Sequence, residues 1–260
     1  MIVRMIVIAS SPRVGSGLIS NLLTKAGAGY VTEHFNPSLQ IPKTAKENGL
    51  KTYEQHFNFL IRNYVSVGGD IFTVKCHFDQ FFSYTKKINV FDKFSQIDFV
   101  QIKRRSKTNQ AISYFISKKT GIWSSKKVAK KDSYKESLID NIKKIPPDIM
   151  YNEIKKMKFR LLQNEAYWDF YLEDIDSTSL YYEDILKREG MNEAKSTFSN
   201  LYGREIEIDI DVADSSIQRD NDVITVIKDK IESHKKSLPS FPPMDKCLDF
   251  NNGFYGYAKK

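Results

Sequence analysis

The sequence predicts an α/β fold, with a central, mainly parallel sheet flanked by helices in three layers. Three observations carry that expectation. An apolar, β-branched run, MIVRMIVI, opens the chain and gives way at once to a turn rich in glycine and hydroxyls, then to a helical stretch. Further strand-like segments, DIFTVKCHF, IDFVQIKR and STSLYYEDI, carry aromatic or β-branched residues between polar flanks. Segments of helical period separate them. Such alternation implies parallel βαβ units with right-handed crossovers, in which ligands collect at the carboxyl ends of the strands.

Taken in order, residues 2–8 read as a buried strand and residues 18–25 as a helix stopped by Gly27 and Gly29. A loop is expected next, and residues 38–69 show no readable pattern. The second strand follows at 70–78 and the third at 97–104. In KTNQAISYFISKK, Ala111, Ile112, Phe115 and Ile116 form one apolar stripe; in YNEIKKMKFRLLQNEAYWDFYLEDI, Ile154, Met157, Leu161, Leu162, Tyr167 and Phe170 are expected to form another. The fourth strand is STSLYYEDI. The lysine-rich tract SSKKVAKKDSYKESLIDNIKKIPPD reads as a solvated loop, and SLPSFPPMDKCLDFNNGFYGYAKK as irregular chain. No internal repeat occurs, and one domain spanning 1–260 is expected.

Composition narrows the functional classes. At 41% hydrophobic and 28% charged residues the 260-residue chain resembles folded globular proteins, not disordered ones. Its net charge of +8 points to an anionic partner: nucleic acid, an acidic membrane surface, or a small phosphorylated or sulfated ligand. Cys76 and Cys247 lack any CxxC or Cys/His spacing, so neither a disulfide framework nor a metal site is expected, and two free thiols fit a reducing cytoplasm. The opening run is broken by Arg4 and leads into glycines without a cleavage pattern, so it reads as a strand and not as a signal peptide. No apolar run approaches the length of about eighteen residues that a transmembrane helix needs.

The turn SPRVGSG after the first strand has the makings of an anion site. A strand feeding a glycine loop and then a helix presents free backbone N–H groups where the helix dipole favours negative charge. Gly15 and Gly17 let the backbone approach a ligand, Ser11 and Ser16 add donors, and Arg13 adds a permanent cation; Val14 and Leu18 complete the loop. A plain tight turn is the alternative. The loop lacks the lysine of a Walker A motif, which disfavours a nucleotide kinase, and it lacks the third glycine of a dinucleotide fingerprint. QIKRRSKTNQAIS repeats the pattern: a strand ending in Lys103, Arg104 and Arg105 leads into a helix whose first turn holds Ser106 and Thr108. Two neighbouring strand ends armed with arginine suit a ligand with anions at both its 5′ and 3′ positions, although a solvated basic surface gives the same composition.

These motifs resemble those of sulfotransferases that use 3′-phosphoadenosine 5′-phosphosulfate (PAPS), and most closely the bacterial trehalose 2-sulfotransferase family, whose fold is P-loop-like. SPRVGSG resembles the family's 5′-phosphosulfate loop, implying cofactor contacts from Arg13, Gly15, Ser16 and Gly17. RRSKTNQAIS resembles its 3′-phosphate motif, an arginine followed eight positions later by a serine, implying Arg105 and Ser113. TGIWSS is similar to the tract after this helix and implies contacts from Gly121 and Trp123; YYEDI is similar to another element, where Tyr182 and Glu183 either contribute or only support the strand end. SSIQRDNDVITVIKDKIE resembles the start of the last helix, implying Arg219 at the nucleotide. VTEHFNP resembles the segment bearing the family's base, which maps onto Glu33, with His34 as the neighbouring alternative. Two departures are Gly17, where the family has a hydroxyl residue, and Ser106, where it has aspartate.

The resemblance implies a transferase that moves the sulfuryl group from PAPS to a hydroxyl of a carbohydrate or glycoconjugate and releases adenosine 3′,5′-bisphosphate. Glu33 would take the hydroxyl proton, with Arg13 and Lys75 countering the developing charge, and Lys75 and Glu33 would meet the acceptor. His56 and His77 are expected to be structural. The rival from another class is a basic nucleic-acid-binding protein, but arginines at strand ends, not along one helix face, speak against a nucleic-acid partner. A small-molecule or glycan acceptor is the expected partner, and a homodimer stays open.

Overall fold

The computed structural model describes residues 4–121, 123, 140–207 and 221–237, with Asn221, Asp222 and Ser237 described in backbone alone. Four parallel strands, β1 (Arg4–Ser10), β2 (Ile71–Cys76), β3 (Gln96–Lys103) and β4 (Ser177–Tyr181), form a sheet in the order β2-β1-β3-β4. The chain first steps from β1 to β2, then crosses back over β1 to β3. That reversal puts the topological switch between β1 and β3, where parallel α/β sheets open a crevice at their carboxyl ends.

Alternation along β1 explains the layering. Ile6 and Ile8 face one side and join Ile19, Leu22 and Leu23 of α1 (Ser16–Lys25) with Val100, Ile102 and Leu180. Met5, Val7 and Ala9 face the other and join Phe57, Leu60, Phe72, Phe81, Tyr84 and Trp168. With both faces covered, β1 is the buried centre of a three-layer arrangement, as the apolar run foretold.

The region expected as a loop after α1 instead contains two helices, α2 (Gln40–Asn48) and α3 (Tyr53–Asn63). Thr52 caps α3 by accepting from the Gln55 N–H, and His56, Phe57 and Leu60 are its buried stripe. α4 (Phe78–Thr85) follows β2 directly. α1 begins two residues earlier than expected, so Gly17 lies inside it. α5 (Lys107–Thr120) buries Ala111, Ile112 and Phe115 as expected, with Ile116 half-buried.

α6 (Pro147–Tyr171) corrects the expected stripe. Met150, Ile154, Met157, Leu161 and Trp168 face inward, whereas Leu162, Tyr167 and Phe170 lie on its outer surface. The reason is geometric: Trp168 falls one heptad after Leu161 and its indole Nε1 donates to the Ser10 carbonyl at 3.2 Å, which fixes the helix rotation. The fourth strand stops at Tyr181, and Tyr182–Ile185 form a short helical turn, α7. α8 (Arg188–Tyr202) covers the β1 face opposite Trp168, and α9 (Asn221–Ser237) closes a smaller cluster with α5 and α6. Among the described residues, no helix is long and apolar enough to cross a membrane. The proline-rich tail and most of the lysine-rich tract lie outside the described residues; the described end of that tract, expected as a solvated loop, is instead helical over 140–144 and buries Ile142 in the cluster with α5, α6 and α9.

Candidate active site

The turn between β1 and α1 sits at the centre of the sheet's carboxyl edge. Arg13 is the one non-glycine residue with positive φ among the described residues, at 65°, and Gly15 follows at 98°. A left-handed arginine costs about 1 kcal/mol, so the surrounding structure must hold it. Val14 does so from below, wholly buried in the core beside Ile6, Ile8 and Ile19. Gln110, buried on α5, does so from the side, donating to Ser11 Oγ at 2.8 Å and to the Pro12 carbonyl at 2.7 Å. Its Oε1 has no partner among the described residues. The α1 N-terminus has no side-chain cap; the Leu18 N–H turns back to the Gly15 carbonyl at 2.9 Å, and no capping side chain competes with an anion for the rest of the first turn. Ser16 is buried there, its carbonyl accepting from Ser20 Oγ at 2.8 Å, and Leu18 packs against the core.

Arg13 reaches across the switch point. Its Nε donates to Ser113 Oγ at 3.1 Å and its guanidinium to the Trp123 carbonyl at 2.5 Å, which joins three elements named from sequence. Arg104, the penultimate arginine of the basic motif, turns toward the same loop. It donates to the Arg13 carbonyl at 3.1 Å and stacks on the Tyr182 ring at 4.8 Å. Tyr182 in turn lies so close over Gly15 that a Cβ there would come within 2.1 Å of the ring. Glycine is required at that position twice over, by φ and by space.

Arg105 takes a different course. Its guanidinium is bound at two points by Asp184 and stacks on Tyr181, while its backbone N–H and that of Ser106 donate to the Glu183 carboxylate at 3.0 and 3.2 Å. YYEDI therefore supports the end of β3, with Tyr182 alone reaching the loop. Ser106 caps α5, its Oγ accepting from the Asn109 N–H at 3.3 Å.

On the far side of β1 lies the second half of the site. Glu33, in the loop after α1, pairs with Lys75 of β2 at 2.8 Å and accepts from Gln80 Nε2 and Asn36 Nδ2, both at 3.0 Å. His77 Nε2 is 3.9 Å away. The Lys75 N–H donates to the Thr32 carbonyl at 3.1 Å, tying the Glu33 loop to the strand. Burial by itself would raise the Glu33 carboxyl, but Lys75 and His77 overcome it and hold the group near a pKa of about 2. Lys75, expected to touch the acceptor, thus has its ammonium on Glu33.

His34, expected as the alternative base, is packed away from the crevice. It is 2% exposed, its Nε2 bonds the Tyr30 carbonyl at 2.6 Å, and its ring stacks on Tyr64. Burial pushes its pKa down to about 4. His56 is structural as expected, buried and bonded to the Tyr84 hydroxyl at 2.8 Å. His77, also expected to be structural, instead faces the Glu33 carboxylate, and burial holds its imidazole below the ordinary value against that carboxylate's pull. The sequence signal was there: Gln80 stands three residues after His77 and accepts from its N–H at 3.1 Å, starting α4 beside Glu33. Arg104 was named in the basic end of the third strand but given no role at the loop, and Gln110 was missed. Arg219 and Cys247 lie outside the described residues; Cys76 is a buried thiol whose pKa burial raises.

The described residues hold no cluster of three metal-ligating side chains. No family model matches the chain, and no curated protein matches it.

Proposed function

We propose that this protein is a PAPS-dependent sulfotransferase acting on a hydroxyl of a carbohydrate or glycoconjugate acceptor. The observation that carries the reading is the meeting of Arg13 with Ser113 across the β1/β3 switch point, with the Glu33–Lys75 pair on the opposite flank of the same loop. Three chemistries then lie in sequence along one sheet edge: a cationic grip, an uncapped helix N-terminus, and a carboxylate.

In this reading the donor's 5′-phosphosulfate lies on the loop, against the α1 N–H groups and Arg13. Its 3′-phosphate lies toward Ser113 and the arginines of β3. The acceptor oxygen attacks sulfur in line as the bond from sulfur to the 5′-phosphate oxygen breaks, and the hydroxyl proton passes to Glu33. Charge gathering on the leaving oxygen is met by Arg13 and the helix dipole. A carboxylate held near a pKa of about 2 is a poor base until its partner moves. Lys75 supplies that release: when its ammonium turns to the sulfuryl oxygens, Glu33 loses its strongest stabilising contact and its basicity rises at the moment it is needed.

Isothermal titration with adenosine 3′,5′-bisphosphate tests the nucleotide half, and absence of binding at millimolar ligand would sink it. Mass spectrometry of a glycan panel incubated with the protein and PAPS tests the transfer through the mass of an added sulfo group.

A further inference from the structure

We propose that the outer face of α6 is a self-association surface on which a second copy of this chain docks, helix against antiparallel helix. The inference stands apart from the sulfuryl-transfer reading and rests on four features of that face.

The first is unburied apolar surface. Phe159 is 67% exposed and Phe170 80%, with Leu162 and Tyr167 near half. Phe159 sits two positions from both Met157 and Leu161, about 200° round the helix from the core stripe, and Phe170 follows eleven residues later on the same side. Two nearly bare phenylalanines on one face, about 16 Å apart, are costly to leave in water.

The second is charge. Lys155 and Lys156 lie exposed at the start of this face, and Glu173 and Asp174 lie exposed just past its end. None of the four forms an ion pair among the described residues, whereas Glu153, Glu165 and Asp169 on the same helix do. The face is therefore basic at one end, acidic at the other and apolar between.

The third is symmetry. A two-fold axis between positions 164 and 165 sets Phe159 of one copy opposite Phe170 of the other, with Leu162 and Tyr167 on the two flanks of that central pair. The same axis sets Lys155 and Lys156 opposite Asp174 and Glu173. A surface that complements its own antiparallel image needs no other partner, and isologous pairing of this kind closes on itself as a dimer.

The fourth is rigidity. Trp168, Leu161 and Met157 lock the inner side of α6, so the outer side is presented as a fixed template with little ordering entropy left to lose.

Sedimentation velocity of the full chain from about 1 to 100 μM, the range in which modest interfaces assemble, tests this. A dimer that weakens in high salt is expected. Phe159→Glu with Phe170→Glu should give a monomer whose circular dichroism is unchanged. Lys155→Glu with Lys156→Glu should weaken the dimer about tenfold or more, and adding Glu173→Lys and Asp174→Lys should restore it by exchanging the charges across the axis. A wild-type monomer at the highest concentration would overturn the proposal, as would a dimer indifferent to both sets of variants. So would a monomer in which the phenylalanine variants alter only the hydrogen exchange of residues 238–260, since the chain's own tail would then be the occupant.

Discussion

Asp184 binds the Arg105 guanidinium at two points, 2.7 and 2.6 Å, with the Tyr181 ring 4.3 Å from it. Paired, parallel N–H···O contacts from one arginine are the geometry by which a phosphate is also held, so the carboxylate occupies the place a ligand's anion would take. Both groups are solvent-exposed enough for the exchange to be cheap. Asp184→Asn should therefore raise the affinity for adenosine 3′,5′-bisphosphate about threefold or more, by removing an internal competitor. Arg105→Ala should lower it about tenfold or more. Titration calorimetry distinguishes this from a positioning role, in which Asp184→Asn would weaken binding.

The two loop glycines make opposite predictions. Gly15→Ala forces a Cβ into the Tyr182 ring at a φ that L-residues avoid, so it should displace Tyr182 and Arg104 together and abolish nucleotide binding. Gly17 has open space around its Cβ and lies within α1. Gly17→Ser adds a hydroxyl donor in the first turn of α1 and removes a helical glycine, so it should stabilise the fold by about 0.5 kcal/mol and, on the proposed function, tighten bisphosphate binding. Thermal denaturation with and without ligand reads both effects.

What the sequence made legible follows from how local each signal is. The β1 run and the glycine turn are written in consecutive residues, and both stand where expected. So does the strand and helix pair around Arg104 to Ser113. The Arg13–Ser113 contact joins residues a hundred positions apart, and only the resemblance placed both at one nucleotide. What failed was rotational or long-range. Whether Trp168 or Phe170 faces inward depends on one indole finding the Ser10 carbonyl, and whether Arg104 or Arg105 meets the loop depends on Asp184, about eighty positions away. α2 and α3 were legible in principle, since His56, Phe57 and Leu60 recur at helical spacing behind the Thr52 cap, but the helices are only nine and eleven residues long and α2 buries Thr44 alone, so neither run stood out.

His34 separates packing from chemistry. With its ring stacked on Tyr64 and its Nε2 on the Tyr30 carbonyl, it has no path to a substrate hydroxyl. His34→Phe should leave turnover within about twofold while costing about 1 kcal/mol of stability through the orphaned carbonyl. Its folded pKa, about 4, lies below the ordinary 6.5, so the stability its neutral form contributes is present above pH 6.5 and is lost as pH falls toward 4. His56 behaves alike, also near 4. The wild type should soften over that window in acid-titrated melts, and His34→Phe should soften less.

Glu33 sets a second, more acidic limb and the main kinetic prediction. Its folded pKa, about 2, lies below the ordinary 4.5, so its contribution is fully present above pH 4.5 and disappears as pH falls through 2. For a side chain 23% exposed, that displacement corresponds to at most about 3 kcal/mol. Glu33→Gln should flatten this limb, because a neutral amide still accepts from Lys75 but has no proton to bind. The same variant should bind adenosine 3′,5′-bisphosphate nearly as well as wild type while turning over about a hundredfold or more slower, the usual worth of a positioned base. Undiminished turnover would move the proton-accepting role to His77, 3.9 Å from the same carboxylate, and His77→Asn would then carry the kinetic defect.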